Sequence, residues 1–444
     1  MLKNTLLLCG MCLVYMIHAQ EVEFIRCATP QAIDYQEKIT PGYKEQIDLV
    51  FDKSKQWSKN NGRLKTDYVI PVVVHVVYNT PEQNLHDSII LNQIENLNKD
   101  FNRLSDDAGN LRPLFNPVVG PSNITFALAW VDENGSPTNG ITRTQTNLTT
   151  FGSFGALLGN LDDIERVKST ANGGVSPWNQ DEYLNIWVCN MSINLLGNET
   201  TALLGYATPP DGLPNWPAGA VAGLSDGVVI QYQCFGSNNP NPLPNPDGSG
   251  TFLEVLGRTV THEVGHYLGL RHIWGDGGCT AEDGVDDTPN ASGQSNFDCD
   301  DTKNTCVDNI PELGGDAPDM IENFMDYSSE SCQNAFTLGQ IGIMTGVLDN
   351  YRPNLGDGNP LSISDKESNT VVYPNPFNEL LTIQAEQGEI AEIILFTLDG
   401  KVVYNTTLNQ SVIEIDTQNF DAGAYILKLV QTNKTESTKK VVKL

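Results

Sequence analysis

Apolar residues run almost unbroken from Val69 to Tyr78 (VIPVVVHVVY), a pattern that predicts a strand buried on both faces. Ile90, Ile94, Leu97 and Phe101 then recur at helical spacing, with Asp87 ahead of them as a cap. Further strands are expected over Ile124 to Val131, Tyr183 to Cys189 and Gly227 to Tyr232. Helices are expected over about Phe252 to Leu268 and from Leu338 to about Leu348, the second stopped by Pro353. Strands interleaved with helices predict an α/β or α+β domain across residues 65–355. The preceding stretch, 20–64, is polar and charged without a strong strand pattern, and Asn60-Asn61-Gly62 near its end marks a turn or an exposed, cleavable link.

The texture changes after residue 355. Residues 356–369 (GDGNPLSISDKESN) read as a linker. From there to residue 444 only short alternating strands follow: Ile393 to Phe396 and Lys401 to Tyr404 flank the turn signal Asp399-Gly400, then come Ala424 to Leu429 and Lys439 to Leu444. This pattern predicts a small C-terminal all-β sandwich.

The first nineteen residues read as a signal peptide: Lys3 is followed by a mostly apolar run from Leu6 to Ile17, with Ala19 at the expected cleavage point. No other apolar stretch approaches the length of a membrane span, so no stable span is expected. The net charge of −29, from 26 basic and 55 acidic residues, argues against a nucleic-acid partner and suits hard cations. Of nine cysteines, Cys9 and Cys12 fall in the signal. The remaining seven are an odd number, so one thiol is left over in an exported, disulfide-permissive chain, and Cys27 is the outlier in position.

Histidine is scarce, with 6 in the chain, yet three fall in His262-Glu263-Val264-Gly265-His266-Tyr267-Leu268-Gly269-Leu270-Arg271-His272. Residues four apart share a helix face, so His262 and His266 can point at one metal ion. Gly269 can end the helix in a left-handed conformation and let His272 return as a third ligand. Three neutral imidazoles with an open fourth position form the catalytic arrangement of zinc, which acidifies a water to a pKa of about 7. Glu263 is then the general base, taking the water proton and passing it to the leaving amine. About fifty residues on, Glu322 to Ser328 (ENFMDYS) supplies Met325 to pack beneath the ligands and Tyr327 to reach the metal or substrate; the long motif plus such a segment is the metzincin signature.

These stretches resemble the pappalysin family of metzincin endopeptidases: HEVGHYLGLRHIWGD at 262–276, the acidic Cys-rich loop from Cys279, ENFMDYS at 322–328, and the strand region of Tyr183 to Cys189, Leu204 to Ala207 and Asp226 to Gly236. The resemblance covers roughly residues 66 to 355. It implies an α+β metzincin-type catalytic domain, a twisted mixed sheet with an active-site helix above a shallow cleft. It also implies endoproteolysis, with one catalytic zinc at His262, His266 and His272.

The loop 276–319 holds 12 acidic residues against one basic, Lys303. Oxygen ligands packed this densely repel one another without a cation, and the family is similar in binding calcium here; Asp283, Asp286, Asp287 and Thr288 are the candidate ligands. Cys279, Cys299, Cys306 and Cys332 flank the loop and allow three pairings, of which the resemblance favours Cys279–Cys306 and Cys299–Cys332. Cys189 and Cys234 end two expected strands, so they form either a third bridge or two buried thiols. Arg26-Cys27-Ala28-Thr29 resembles the cysteine switch of the family's zymogens, with Ala28 where a Gly is often found. A thiolate from a propeptide at 20–64 would fill the position that catalysis needs for water until a cut near Gly62-Arg63 or Lys65 removes it. In the family a preference for basic residues is linked to an acidic residue immediately before the Cys after the Met-turn; this chain has Ser331 there, with Glu330 one step back.

The tail resembles the sorting domain of type IX secretion in Bacteroidetes, carried by Tyr373-Pro374-Asn375-Pro376-Phe377, Leu398 to Lys401, Gly423 to Leu429 and the terminal KKVVKL. The expectation is a secreted zinc metalloendopeptidase acting on proteins or peptides. It is made as a latent zymogen and exported through the periplasm by the type IX machinery. The alternative is a non-catalytic, calcium-stabilised surface or adhesion protein with a retained zinc site. Intact Glu263 and Tyr327 favour the enzyme.

Overall fold

The computed structural model describes residues 25–61, 67–355 and 370–443, apart from 137, 196–197, 202, 213–223, 246–248, 375–376, 386–388, 398–401, 422 and 433–435. The expected leader at 1–19, the cut near Gly62-Arg63 or Lys65, the linker at 356–369 and the Asp399-Gly400 turn lie outside the described residues.

The apolar run becomes β2 (Tyr68–Tyr78), an interior strand of a seven-stranded sheet and almost wholly buried. Around it lie β1 (Ile25–Cys27), β3 (Ile124–Leu128), β4 (Ile141–Gln145), β5 (Leu184–Cys189), β6 (Leu203–Ala207) and β7 (Val228–Gln231). The strand order is β1-β6-β7-β5-β2-β3, with β4 also pairing with β2. β6 runs antiparallel to β7, and β1 runs parallel to β6, while the other pairs are parallel, so the sheet is mixed. β4 carries little apolar signal and is only partly buried, so periodicity does not reveal it.

Five longer helices frame this sheet: α1 (Thr29–Ile39), α2 (Tyr43–Asn61), α3 (Asp87–Phe101), α4 (Arg258–Tyr267) and α5 (Leu338–Asn350). The apolar stripe of α3 is buried as its spacing requires. Its cap is His86 rather than Asp87, with the imidazole accepting from Ser88 N at 3.2 Å. α5 opens with a reciprocal Thr337–Gln340 capping box and ends before Pro353. α4 starts six residues later than expected: Phe252–Leu253 forms a short strand, and Gly257, at φ +82°, breaks the chain before the helix begins. α1 and α2 lie in the stretch that carries no strand pattern. The buried positions of α2 include Ser54, while Leu49 faces outward, so its helical stripe is blurred in sequence.

Cys189 and Cys234 remain separate buried thiols. They occupy different apolar clusters, Cys189 with Trp187 and Tyr206, Cys234 with Phe235, Leu243 and Val260, and so do not form a third bridge.

The tail forms β8 (Thr370–Tyr373), β9 (Leu380–Ala385), β10 (Ile390–Thr397), β11 (Val402–Gln410), β12 (Val412–Asp416), β13 (Gly423–Gln431) and β14 (Glu436–Lys443). One sheet has the order β8-β9-β12 and the other β11-β10-β13-β14. Alternate residues such as Leu381, Ile383, Ile393, Leu395, Leu427 and Leu429 share one apolar core, the pattern of a sandwich. No described helix is long and apolar enough to cross a membrane.

Candidate active site

Every residue of α4 is buried. Its N-terminus is capped from far along the chain: Glu330 accepts from Leu256 N at 2.5 Å, Arg258 N at 3.1 Å, and both N and Oγ1 of Thr259 at 2.9 Å. A carboxylate there satisfies orphan N–H groups and complements the helix dipole. Both oxygens of Glu330 are therefore committed to the helix.

At the other end Gly269 takes φ +94°, and Leu270 N donates back to Gly265 O at 2.9 Å. This left-handed turn brings His272 round to the histidines of α4. The Nε2 atoms of His262, His266 and His272 lie 3.0–3.2 Å from one another. Each Nδ1 faces its own acceptor: Phe324 O at 2.7 Å, Leu270 O at 2.8 Å and Asp276 Oδ1 at 2.7 Å. These acceptors hold the ring protons on Nδ1, so three Nε2 lone pairs converge on one point. Burial disfavours the charged form of two of them, holding His262 well below the usual histidine range and His266 down at about 3. Three converging lone pairs repel unless a cation sits among them. Zinc–nitrogen bonds of about 2.0–2.1 Å in a tetrahedron place ligand nitrogens roughly 3.3 Å apart, so the donor set fits zinc. Met325 packs beneath: a Cβ on Gly265 would lie 2.5 Å from its sulfur, so any larger residue there would push the methionine aside.

Glu263 is fully buried beside the three rings, and desolvation pushes its carboxyl up to about 8. Its Oε1 has no hydrogen-bond partner, while Oε2 accepts from Thr29 Oγ1 at 3.1 Å and from the Cys27 thiol at 3.4 Å. Tyr327 packs its ring against His262, His272 and Trp274 and donates its hydroxyl to Cys27 O at 3.3 Å.

Cys27 reaches this point because β1 extends the edge of the sheet, with Cys27 opposite Gly205 on β6. Its Sγ and the three histidines offer ligand atoms that all lie within 4.8 Å of one another. Arg26 is buried beside it. Its guanidinium donates to Ser328 O and, at 3.3 Å, to Gln333 Oε1, and lies over the rings of Phe297 and Tyr327.

The acidic loop divides the four candidate calcium ligands. Asp283 and Thr288 are buried, and Asp283 Oδ2 and Asp287 Oδ1 are buried without hydrogen-bond partners. Burial pushes both carboxyls up. Asp286 instead faces outward and pairs with Lys55 at 2.6 Å and with Lys59, so it does not join the other three. Cys279 is bonded to Cys306 and Cys299 to Cys332.

Sequence reasoning assigns no role to Thr29, Asp276 or the α4-capping carboxylate of Glu330. Asp276 does carry a local signal, since it lies four residues after His272. Thr29 and Glu330 act across 234 and 72 residues of chain, and no local spacing signals that.

The family pattern described as pregnancy-associated plasma protein-A matches residues 251–349, and the pattern of a secretion system C-terminal sorting domain matches 371–443. Mature mirolysin of Tannerella forsythia, solved with a cleaved peptide, is 38% identical with a TM-score of 0.53, covering 66% of this chain and 96% of that one. Promirolysin of the same organism is 36% identical with a TM-score of 0.58, covering 74% and 96%. An extracellular metalloprotease of Verticillium alfalfae is 31% identical over 243 residues, 54% of this chain and 67% of that protein. An extracellular metalloprotease of Arthroderma benhamiae is 39% identical over 140 residues, which is 31% of this chain and only 41% of the fungal protein's length. The mixed sheet, the histidine helix with its methionine floor and these likenesses agree: the chain belongs to the pappalysin family of metalloproteases and ends in a type IX secretion sorting domain.

Proposed function

We propose that the chain is a secreted zinc endopeptidase made in latent form. His262, His266 and His272 hold the zinc, Glu263 is the general base, Tyr327 is the oxyanion donor and Cys27 is the latency ligand. The observation that carries this reading is the convergence of three buried imidazole lone pairs and one thiol beside the buried carboxylate of Glu263. Bound there, zinc acidifies water and polarises a peptide carbonyl. Glu263 Oε2, released from Cys27 and Thr29, takes the water proton and returns it to the amine nitrogen as the peptide bond breaks. Tyr327 already donates to a backbone carbonyl at the site, and a substrate carbonyl in that place receives the same donor as charge builds on its oxygen.

The organisation proposed is a signal at 1–19, a propeptide at 20–64, a catalytic domain at 65–355, a linker at 356–369 and a sorting domain at 370–444. The substrates are proteins or peptides, and export uses the type IX machinery. Calcium belongs to the proposal as a structural ion near Asp283 and Asp287, whose orphan oxygens favour a cation. The alternative of a non-catalytic surface protein gains no support from the site, because Glu263 and Tyr327 both stand beside the histidines.

The test compares cleavage of casein or gelatin by activated wild type and Glu263→Ala, with zinc measured in both. Loss of cleavage in the variant with zinc retained is expected. Equal cleavage by both, or none by fully activated wild type, overturns the reading.

A further inference from the structure

We propose that α2 is a second anchor, docked on the catalytic unit away from the histidines. It holds Cys27 in the site even after the chain is cut between α2 and β2. This rests on the reading of Cys27 as the latency ligand.

The described pro-segment has two working parts. Its tip, Arg26 to Thr29, lies at the metal ligands. Its second helix lies along α5, where Tyr43, Val50, Phe51 and Ser54 are buried. Phe51 sits under the guanidinium of Arg271, 3.9 Å from its ring centre. A Cβ on Gly284 would lie 2.7 Å from the Phe51 ring, so glycine makes room for it. Ser54 and Ser58 meet Gly346 and Gly342 of α5, small residues facing small residues, which lets the two backbones approach closely.

The rim is ionic. Lys55 donates to Gly284 O at 2.6 Å and pairs with Asp286, as does Lys59, and Asp48 pairs with Arg271 at 2.6 Å. Exposed pairs of this kind contribute little, so the apolar face carries the docking.

A cavity of about 320 Å³ lies beside this contact, lined by Ile33, Ile47 and Phe51 of the pro-segment and by Pro210, His266 and Leu270 of the catalytic unit. The segment is therefore held at two places, by its tip beside the histidines and by α2 along α5. While α2 stays seated, it presents Cys27 to the site at an effective concentration on the order of millimolar. Cutting after α2 leaves this tether intact. A second cut at the joint Thr40-Pro41-Gly42, where Pro41 is exposed, separates tip from anchor and removes the advantage.

In the test, residues 62–66 of the full-length chain are replaced by the recognition sequence of a site-specific protease. After cutting, co-elution of the segment in gel filtration is measured alongside peptide hydrolysis. The wild-type segment is expected to co-elute at micromolar protein, with hydrolysis below about one tenth of that seen once the segment is stripped away. Phe51→Ala is expected to weaken retention by at least about a hundredfold, so cutting alone releases the segment although Cys27 is intact. Ser58→Phe, which blocks the close approach to Gly342 from a half-buried surface position, gives the same release if the first variant folds poorly. A wild-type segment that separates on the column after cutting, or variants that retain it as wild type does, overturns the anchor. Failure of the protease reading looks different: no hydrolysis follows complete removal of the segment, while co-elution still reports the docking.

Discussion

Thr29 Oγ1 donates to Glu263 Oε2 at 3.1 Å, on the same carboxylate oxygen that accepts from the Cys27 thiol at 3.4 Å. The same hydroxyl also accepts from Ala207 N at 2.9 Å. The segment thus occupies the carboxylate as well as the metal position, through two side chains two residues apart.

On the proposed role of Cys27, Cys27→Ala is expected to make the precursor prematurely active, because the thiol beside the three histidines is removed. Thr29→Val removes one of two bonds to the carboxylate and leaves the thiol in place, so its precursor should show a smaller rise in basal hydrolysis. Unchanged latency in Cys27→Ala, measured as peptide hydrolysis before any cut, counts against the switch.

Asp276 holds the Nδ1 proton of His272. Asp276→Ala frees that ring to rotate and change tautomer, and zinc affinity should fall about 10- to 100-fold. Chelator competition reads this directly. Affinity equal to wild type would show that Asp276 does not orient the ligand.

Gly265 and Met325 are packed too closely for any Cβ between them. Gly265→Ala should destabilise the catalytic unit by about 1–3 kcal/mol. Pairing it with Met325→Ala should recover part of that loss, because the sulfur that clashes is gone. Denaturant melts of the two single variants and the double variant test the coupling; strict additivity would sink it.

His75 is buried in β2 between Thr142 and Asn185, and desolvation lowers its pKa from 6.5 to about 4. The unfolded chain therefore gains a proton at a pH where the folded chain refuses it. The stability this group contributes is present above pH 6.5 and is lost as pH falls toward 4. His75→Gln, compared with wild type by denaturant unfolding across that window, should show a shallower decline. Parallel slopes would show that His75 does not contribute.

Much of the site is legible in the amino-acid sequence. His262 and His266 four apart, Gly269 to end the helix and His272 beyond it depend on contacts within one helical turn and one reversal. The alternation of the tail strands is equally local. The helices α1 and α2 are not legible, because the face that α2 buries is defined by what it docks against, and includes a serine. The start of α4 departs from the sequence pattern because Phe252–Leu253 finds a strand partner in Leu243–Pro244.

The sequence by itself determined which chemistry the chain carries, since metal-ligand spacing on a helix is a local property. Tertiary structure alone decided how that chemistry is restrained and supported. It placed Cys27 and Thr29 against Glu263, capped α4 with Glu330, set Met325 under Gly265, turned Asp286 outward to Lys55 and kept Cys189 apart from Cys234. Each of these joins residues distant in the chain, and such contacts form only when the whole sheet and its helices have packed.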